Sequence, residues 1–275
     1  MARRCYRCPV EVSDKRVLIT GASGGLGARL AQALAERGAS VTVSGRDRKR
    51  LESVAGGLPG DGHQVAVADL ARPGGAEQLV REVGGVDCLV ANAGLPATGR
   101  ITDLSGDEVA KMLRVNLEAP IHLTQALLPG MIERGEGKVV LMGSLSGKAG
   151  SPRSSVYNAT KFGLRGFAFG LRTDLVGTGV GVTVVAPGFV REVGMFAETG
   201  LEAPRVLGTT TPERVVAAVL EAIARDRAEI VVAPATARAM AHIGLVSPGL
   251  AHRVQSGEAG QRTADQVASR QTDKR

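Results

Sequence analysis

Residues 17–38 read VLITGASGGLGARLAQALAERG: a short aliphatic run, a glycine-rich turn and an amphipathic stretch in direct succession. The run is typical of a buried β-strand, and the stretch after the turn has the apolar spacing of an α-helix. A helix N-terminus offers free N–H groups and the positive end of a dipole, which together bind phosphate groups. This stretch therefore predicts a strand–turn–helix unit with a dinucleotide-phosphate site at its junction.

Each residue of the turn has an expected task. Gly21 permits the tight turn, Gly25 lets backbone approach a pyrophosphate, and Gly27 allows the helix to pack closely on the strand. The Ser23 hydroxyl can add a further donor. A flexible glycine loop is the alternative interpretation, and the strand and helix on either side argue against it.

Short apolar runs alternate with amphipathic stretches along most of the chain. The runs are rich in β-branched residues and largely uninterrupted, which is typical of strands buried on both faces of a parallel sheet. They are VLIT, VTVS, VAVA, CLVANAG, KVVLMGS, GVTVVAPG and EIVVAP. The sequence therefore predicts an α/β fold with a doubly wound sheet.

Composition limits the class of protein. The 275 residues are 44% hydrophobic and show no compositional break, so we predict one domain with a mainly aliphatic core. The formal charge is +7, but basic residues are scattered among acidic ones, which argues against nucleic-acid binding. No apolar run approaches the ~18 residues of a transmembrane helix, and the N-terminus lacks a signal-peptide core. We expect a soluble cytoplasmic protein.

Cysteine and histidine usage predicts neither a metal site nor a disulfide. Cys5 and Cys8 form a lone CYRC pair without a second ligand pair further along the chain. Cys88 lies inside an apolar run and is interpreted as a small buried hydrophobic residue. The four histidines show no ligand spacing. We expect no metal dependence and a reducing compartment.

A second motif, SSVYNATKFGLRGF at residues 154–167, carries candidate chemistry. Tyr157 and Lys161 are about one helical turn apart, so on a helix the phenol and the ammonium project from the same face. A close positive charge lowers the pKa of a phenol from its usual ~10. Ser144 ends the run KVVLMGS upstream and can converge on the same point. These three side chains predict a general acid/base site.

The ends of three other strands supply candidate ligand contacts. Arg46 stands where the adenosine ribose of a dinucleotide is expected and favours a 2′-phosphate, although an exposed arginine that begins a charged helix is the alternative. Asp69 can accept from the adenine amino group, cap the next helix, or do both. Asn92, Ala93 and Gly94 form a turn of small residues in which the asparagine pins the backbone.

The second half of the chain adds a buried polar residue and a lid. Asn116 lies among apolar neighbours and needs a partner, although a helix kink near Pro120 is an alternative. The long irregular segment 189–208 carries apolar residues and is interpreted as a lid. The moderately apolar stretch 235–254 favours helix packing over contact with a membrane or a partner. From about residue 255 the chain is polar and is expected to fray.

These motifs, in this order and spacing, resemble the short-chain dehydrogenase/reductase family. The resemblance rests on TGASGGLG, the DL at Asp69, ANAG, the Asn116 of VNL, the Ser144 of GS, YNATK and APG, and it covers about residues 14–234. It implies a single Rossmann domain, 14–254, with a seven-stranded parallel sheet and helices on both faces. Residues 1–13 are then an N-terminal extension and 255–275 a flexible tail. A homodimer or homotetramer is also implied.

The family's roles carry over to matching residues. Tyr157 would exchange a proton with a carbonyl or alcohol oxygen, and Ser144 would hydrogen-bond that oxygen. Lys161 would hold the nicotinamide ribose and lower the pKa of Tyr157, while Asn116 would hold a water that links Lys161 to solvent. The cofactor-binding residues that the turn, the strand ends and the resemblance indicate are Gly21, Ser23, Gly25, Leu26, Gly27, Arg46, Asp69, Leu70, Asn92, Ala93, Gly94, Tyr157, Lys161, Pro187, Gly188 and Val190.

Two positions depart from the family's pattern. Ala91 replaces the first asparagine of the usual NNAG, which is a common variation. Arg191 and Glu192 follow the PG turn, where the family usually has a threonine that binds the carboxamide of the nicotinamide. We assign no residue to that contact.

The predicted function is an oxidoreductase that prefers NADP(H), with NAD(H) possible, and acts on a carbonyl or secondary alcohol. Small and aliphatic residues in the loops after Gly94, Ser144 and Gly188 favour an apolar small-molecule substrate. Two alternatives stay open: an NAD-dependent alcohol dehydrogenase, and a catalytically inactive module that senses NADP(H). A sugar-nucleotide epimerase or dehydratase is disfavoured because it needs a larger C-terminal domain.

Overall fold

Residues 12–96, 98–204, 206–255 and 257–272 are described by the computed structural model of this protein. They contain a seven-stranded sheet in the order β3-β2-β1-β4-β5-β6-β7, in which every pairing is parallel. The strands are β1 (Arg16–Thr20), β2 (Ser40–Gly45), β3 (Gln64–Val67), β4 (Cys88–Ala91), β5 (Gly137–Met142), β6 (Val180–Pro187) and β7 (Glu229–Val232). The strand order reverses between β1 and β4, which places a ligand crevice at their carboxyl ends. The predicted doubly wound sheet is confirmed.

Helices cover both faces of the sheet. They are α1 (Gly25–Ala35), α2 (Arg48–Gly56), α3 (Gly75–Val83), α4 (Gly106–Leu113), α5 (Ala119–Glu133), α6 (Ser155–Asp174), α7 (Pro212–Ala224), α8 (Ala235–Val246), α9 (Pro248–Gln255) and α10 (Glu258–Arg270). The buried residues form two main clusters, one on each face. Val17 and Ile19 of β1 belong to the cluster beneath α1 and α7, whereas Leu18 belongs to the cluster beneath α3, α5 and α6. Successive residues of a strand point to opposite faces, so β1 is apolar on both.

A π-helical turn, Arg114–Glu118, joins α4 to α5 and contains Asn116. Pro120 lies just after this turn, near the start of α5. The helix irregularity that the alternative placed near Pro120 is observed, and it takes the form of the π-helical turn at Asn116. Cys88 is buried in β4, as expected for a small hydrophobic residue.

The C-terminal stretch differs from the expectation of a frayed polar tail. Residues 258–270 form α10, and the residue after it, Gln271, is only 4% exposed. Hydrogen bonds to distant loops, and not an apolar periodicity, hold this helix in place, so local pattern did not reveal it. The N-terminal pair Cys5 and Cys8 lies outside the described residues.

Helix α8 packs closely on the loop that follows β5. A Cβ added at Gly244 would lie 2.4 Å from the Cβ of Ala149, so only a glycine fits there without a shift. This contact agrees with the interpretation of stretch 235–254 as packed helix. Within the described ranges, no helix combines the length and the hydropathy that crossing a membrane requires.

Candidate active site

The glycine-rich turn has the geometry of an anion cradle. Gly21 has a φ of +67°, which disfavours any residue with a side chain. A Cβ at Gly27 would lie 2.3 Å from the carbonyl oxygen of Gly21, so the helix approaches the turn as closely as the sequence predicted. Helix α1 begins after Gly24 with no side-chain cap and no acidic residue in its first turn. Its first N–H groups and its positive dipole end therefore fit a pyrophosphate.

Asn92 fastens the neighbouring strand end to this turn. Its Nδ2 donates to the carbonyl oxygens of Thr20 at 3.1 Å and of Gly21 at 3.2 Å. The backbone N–H of Ala93 donates to the Thr20 hydroxyl at 3.1 Å. The expected pinning of the turn by Asn92 is observed, and β1 and β4 present their ends as one rigid edge.

Arg46 follows β2 and is exposed to solvent. Its neighbours Arg48 and Arg50 pair with Glu52 and Asp47, at 3.6 and 3.3 Å, and Asp47 caps α2. Arg46 has no ion-pair partner in the part of the chain that the structure describes. A free guanidinium at this strand end fits a 2′-phosphate.

Asp69 does not cap α3, and that alternative is wrong. The residue before α3 is Gly74, and β3 already ends at Val67, so Asp69 lies in the intervening turn. There its Oδ1 accepts from the backbone N–H of Ala71 at 3.0 Å. Leu70 beside it is buried. Asp69 remains at the carboxyl edge of the sheet, where an adenine contact is a prediction.

The structure brings Ser144, Tyr157 and Lys161 together at the carboxyl end of β5. Ser144 follows this strand after Gly143, and its side chain hydrogen-bonds Tyr157. Lys161 lies one turn further along α6, with its Nζ 5.6 Å from the centre of the Tyr157 ring. Lys161 is 5% exposed, and its Nζ donates to the carbonyl oxygen of Met142 at 2.8 Å. The predicted convergence is observed.

The electrostatics of the pair differ from the prediction. Burial raises the pKa of Tyr157 above its usual 10, and the hydrogen bond from Ser144 offsets only part of that rise. Burial also lowers the pKa of Lys161 from 10.5 to about 8. The expected lowering of the Tyr157 pKa is therefore wrong for this chain alone. The ammonium lies over the ring and bonds to backbone, and the loss of hydration outweighs its attraction for a phenolate.

Asn116 is buried and bonded at both ends of its side chain to a single residue. Its Oδ1 accepts from the backbone N–H of Leu95 at 2.7 Å, and its Nδ2 donates to the Leu95 carbonyl at 2.9 Å. The partner that a buried amide requires is thus the loop after β4. The side chain holds this loop, and the role of holding a water stays a prediction.

The segment after β6 lies over the groove. A Cβ on Gly25 would lie 2.9 Å from the side chain of Val193, and one on Gly94 would lie 3.0 Å from Cε of Met195. This segment therefore reaches both the phosphate turn and the turn after β4. Two aromatic rings stiffen it, since Phe189 and Phe196 pack with their centres 4.3 Å apart.

The base of this segment shows how it departs from the family's usual pattern. Arg191 pairs with Glu192 at 3.1 Å, and Glu192 adopts a φ of +70°. Val190 forms a parallel bridge with Thr210. Among the described residues, the Thr210 hydroxyl is the one buried side-chain polar atom that has no hydrogen-bond partner.

The sequence analysis missed four residues that join the loops above the site. They are Thr98, Arg153, Asp265 and Gln271, linked by hydrogen bonds between α10 and the loops after β4, β5 and β6. Nothing in the local sequence marks them, because polar residues in a polar stretch are usually solvated. Within the described ranges no group of three or more His, Cys, Asp or Glu residues is placed to hold a metal ion.

Residues 15–203 match the profile of the family described as short chain dehydrogenase. The chain belongs to the short-chain dehydrogenase/reductase family. It is 36% identical over 254 residues to "Ketoacyl reductase HetN" of Nostoc sp., an alignment that covers 88% of each chain. The protein is therefore an NAD(P)-dependent dehydrogenase/reductase.

Solved structures show the same similarity. A "short chain dehydrogenase/reductase family protein" superposes with a TM-score of 0.75 at 30% identity, covering 81% of this chain and 97% of that one. "The Closed form of serine dehydrogenase complexed with NADP+" superposes with a TM-score of 0.71 at 31% identity, covering 80% and 95%. These relatives share the single Rossmann domain of this short-chain dehydrogenase/reductase.

Proposed function

We propose that this short-chain dehydrogenase/reductase is an NADP(H)-dependent reductase of an apolar carbonyl compound. The observation that carries the proposal is the cluster of Ser144, Tyr157 and Lys161 at the carboxyl end of β5, beside an uncapped helix N-terminus suited to a pyrophosphate. A binding module without chemistry has no need for a half-buried phenol that is bonded to a serine and lies beside a buried lysine.

The residues act as a proton-transfer unit. When bound, the nicotinamide supplies the hydride. A tyrosine is protonated at neutral pH, so Tyr157 can donate its proton to the carbonyl oxygen. Ser144 stabilises the negative charge that builds on that oxygen. Lys161, with a pKa near 8, can then return a proton toward the phenolate.

Cofactor preference is assigned to Arg46. Its exposed guanidinium has no ion-pair partner within the described part of the chain, so a 2′-phosphate can pair with it without breaking another contact. One structural relative carries NADP+ by its own title. An NAD-dependent alcohol dehydrogenase is the second candidate, and its cofactor binding would not depend on Arg46.

The substrate is proposed to be an oxo-acyl compound. Phe189, Met195 and Phe196 lie on the segment after β6, are partly exposed and offer apolar surface, and Met195 reaches Gly94. A relative that is 36% identical is named a ketoacyl reductase. A 3-oxo-acyl thioester combines a reducible ketone with an apolar chain and suits both observations.

The central experiment measures NADPH oxidation with ketones, aldehydes, quinones and 3-oxo-acyl thioesters. We expect turnover of the oxo-acyl thioesters and a loss of roughly 10²- to 10⁴-fold in Tyr157→Phe, with NADPH binding retained. Ser144→Ala should also lose activity, whereas Ser146→Ala, two residues along, serves as the matched control. Tight NADPH binding with no turnover of any carbonyl would favour the sensing module instead.

The cofactor assignment has its own test. Initial rates with NADPH and NADH are compared in the native chain and in Arg46→Ala, with Arg48→Ala as the control. We expect Arg46→Ala to raise the KM for NADPH at least tenfold and to leave the KM for NADH unchanged. An unaltered preference would reject Arg46 as the determinant.

A further inference from the structure

The C-terminal helix contacts all three loops that surround the proposed substrate groove. Gln271, just after α10, accepts a hydrogen bond from the Thr98 hydroxyl at 2.8 Å and donates to the carbonyl oxygen of Met195 at 2.9 Å. Asp265 of α10 accepts two hydrogen bonds from the guanidinium of Arg153, at 2.5 and 3.2 Å. Thr98, Arg153 and Met195 follow β4, β5 and β6 respectively, so one helix joins the three loops.

Burial and backbone conformation hold the residues of these contacts in place. Gln271 is 4% exposed, and its amide uses its oxygen for one loop and its nitrogen for another. Arg153 is held at a φ of +55°, an uncommon conformation for a residue with a side chain, and its carbonyl oxygen accepts from the N–H of Gly99 at 2.7 Å. This backbone hydrogen bond joins the loops after β4 and β5 to each other, and the ion pair ties both to α10.

The loop held by Gln271 is the lid. Met195, whose carbonyl oxygen takes the bond, packs its side chain against Gly94, and Val193 packs against Gly25 of the phosphate turn. Those two glycines mark the two ends of the groove that the cofactor must enter. A bond at Met195 therefore resists the motion by which the lid would uncover the groove.

The geometry points to α10 as a clasp that holds the lid closed and forms the outer wall of the substrate groove. In this arrangement Gln271 is a positioning residue that acts through Met195, and Asp265 fixes the opposite wall through Arg153. The clasp sets how fast the cofactor exchanges and how long an acyl chain the groove accepts. The second of these consequences rests on the proposed function, whereas the first does not.

Two variants of Gln271 separate the contacts. Gln271→Leu removes both hydrogen bonds at nearly constant volume. Gln271→Glu keeps an acceptor for Thr98 but replaces the donor to the Met195 carbonyl with a carboxylate oxygen, so it releases the lid alone. Gln266→Leu, on the exposed side of α10, is the matched control. All are made in the full chain.

The first readout needs no substrate. Amide hydrogen exchange of residues 189–204 and the rate of NADPH release, followed by its fluorescence, are measured for each folded variant. We expect both Gln271 variants to accelerate exchange and release at least fivefold, with Gln266→Leu unchanged. Unaltered exchange and release in a folded Gln271→Glu protein would overturn the clasp.

The second readout uses 3-oxo-acyl thioesters of increasing chain length. We expect kcat/KM in the native chain to fall beyond a certain length, and Gln271→Leu to move that limit to longer chains through KM while kcat for the shortest substrate is kept. An equal loss of kcat/KM at every chain length would show that the helix merely supports the fold. If no carbonyl is reduced at all, the proposed function fails, and the exchange experiment still tests the clasp.

Discussion

At the scale of single residues, burial sets the chemistry of this site more strongly than charge proximity does. The one-turn spacing of Tyr157 and Lys161 correctly placed them side by side, and the simple expectation was a phenol made acidic by its neighbour. The structure shows both groups shielded from water, which disfavours the charged form of each. The pair is therefore tuned toward a neutral phenol and a readily deprotonated amine.

The lysine shift makes stability depend on pH in a defined direction. Between about pH 8 and 10.5 the unfolded chain holds a proton on Lys161 that the folded chain has lost, so the free energy of unfolding rises with pH across this window. A shift of this size corresponds to about 3 kcal/mol. Lys161→Met has no amine to titrate. The free energy of unfolding of this variant minus that of the native chain should therefore fall by about 2 kcal/mol from pH 7 to pH 10.

Urea unfolding of both proteins at the two pH values provides the measurement. The difference between them cancels the titration of groups that lie far from Lys161. Stability curves that stay parallel from pH 7 to pH 10 would show that Lys161 keeps an ordinary pKa in the fold.

Thr210 offers a second test at this scale. Thr210 as a whole is 1% exposed, and its hydroxyl has no hydrogen-bond partner within the described part of the chain. A buried polar group of this kind costs about 1–3 kcal/mol, and Thr210→Val replaces it with a methyl group of the same shape. We expect the variant to raise the free energy of unfolding by about 1 kcal/mol.

Thr183→Val, which removes a bonded hydroxyl, should be destabilising in the same assay. A loss of stability in Thr210→Val would mean that the hydroxyl is already satisfied, for example by water.

At the scale of elements, the helices α8 and α10 and the π-helical turn are placed by contacts that lie far away in sequence. Asn116 in the π-helical turn hydrogen-bonds the backbone of Leu95, and Gln271 after α10 hydrogen-bonds the loops above the site. Helix α8 packs Gly244 against Ala149. Of these residues, only Asn116 was marked by its local sequence. Such elements position the site without touching a reactant.

The tight approach of α8 predicts a packing effect. In Gly244→Ala the new methyl would lie 2.4 Å from the Cβ of Ala149, so α8 or the loop after β5 must move. Overpacking of this kind costs about 1–3 kcal/mol, which thermal unfolding can measure. Gly249→Ala in α9 is the control, because nothing lies within 4 Å of its added Cβ. Equal stability of the two variants would contradict the close packing of α8.

At the scale of the whole molecule, one face of α6 is left uncovered. Ala159, Gly166 and Gly170 are exposed on this helix, and Phe162 beside them is 41% exposed. Small residues let another helix approach closely, and an exposed aromatic ring is costly in water. We propose that this face joins two copies of the chain, which would also hold Tyr157 and Lys161 of the same helix in position.

This proposal predicts a change of mass on a single substitution. Gly166→Lys places a charge on the face where nothing lies within 4 Å, so the isolated fold should tolerate it while the assembly separates into monomers. Light scattering after gel filtration gives the mass, and circular dichroism checks the fold. Gly56→Lys at the end of α2 is the control with equal space around it. An oligomer that survives Gly166→Lys would place the interface elsewhere.

The amino-acid sequence alone was enough for the parallel sheet, the phosphate turn and the convergence of Ser144, Tyr157 and Lys161. Those features depend on neighbours within a few residues or on strand ends that topology brings to one edge. The pKa directions and the hydrogen bonds that join Gln271 to Thr98 and Met195 emerged only from the folded chain. They depend on water exclusion and on hydrogen bonds between residues more than seventy positions apart, and no local pattern encodes either.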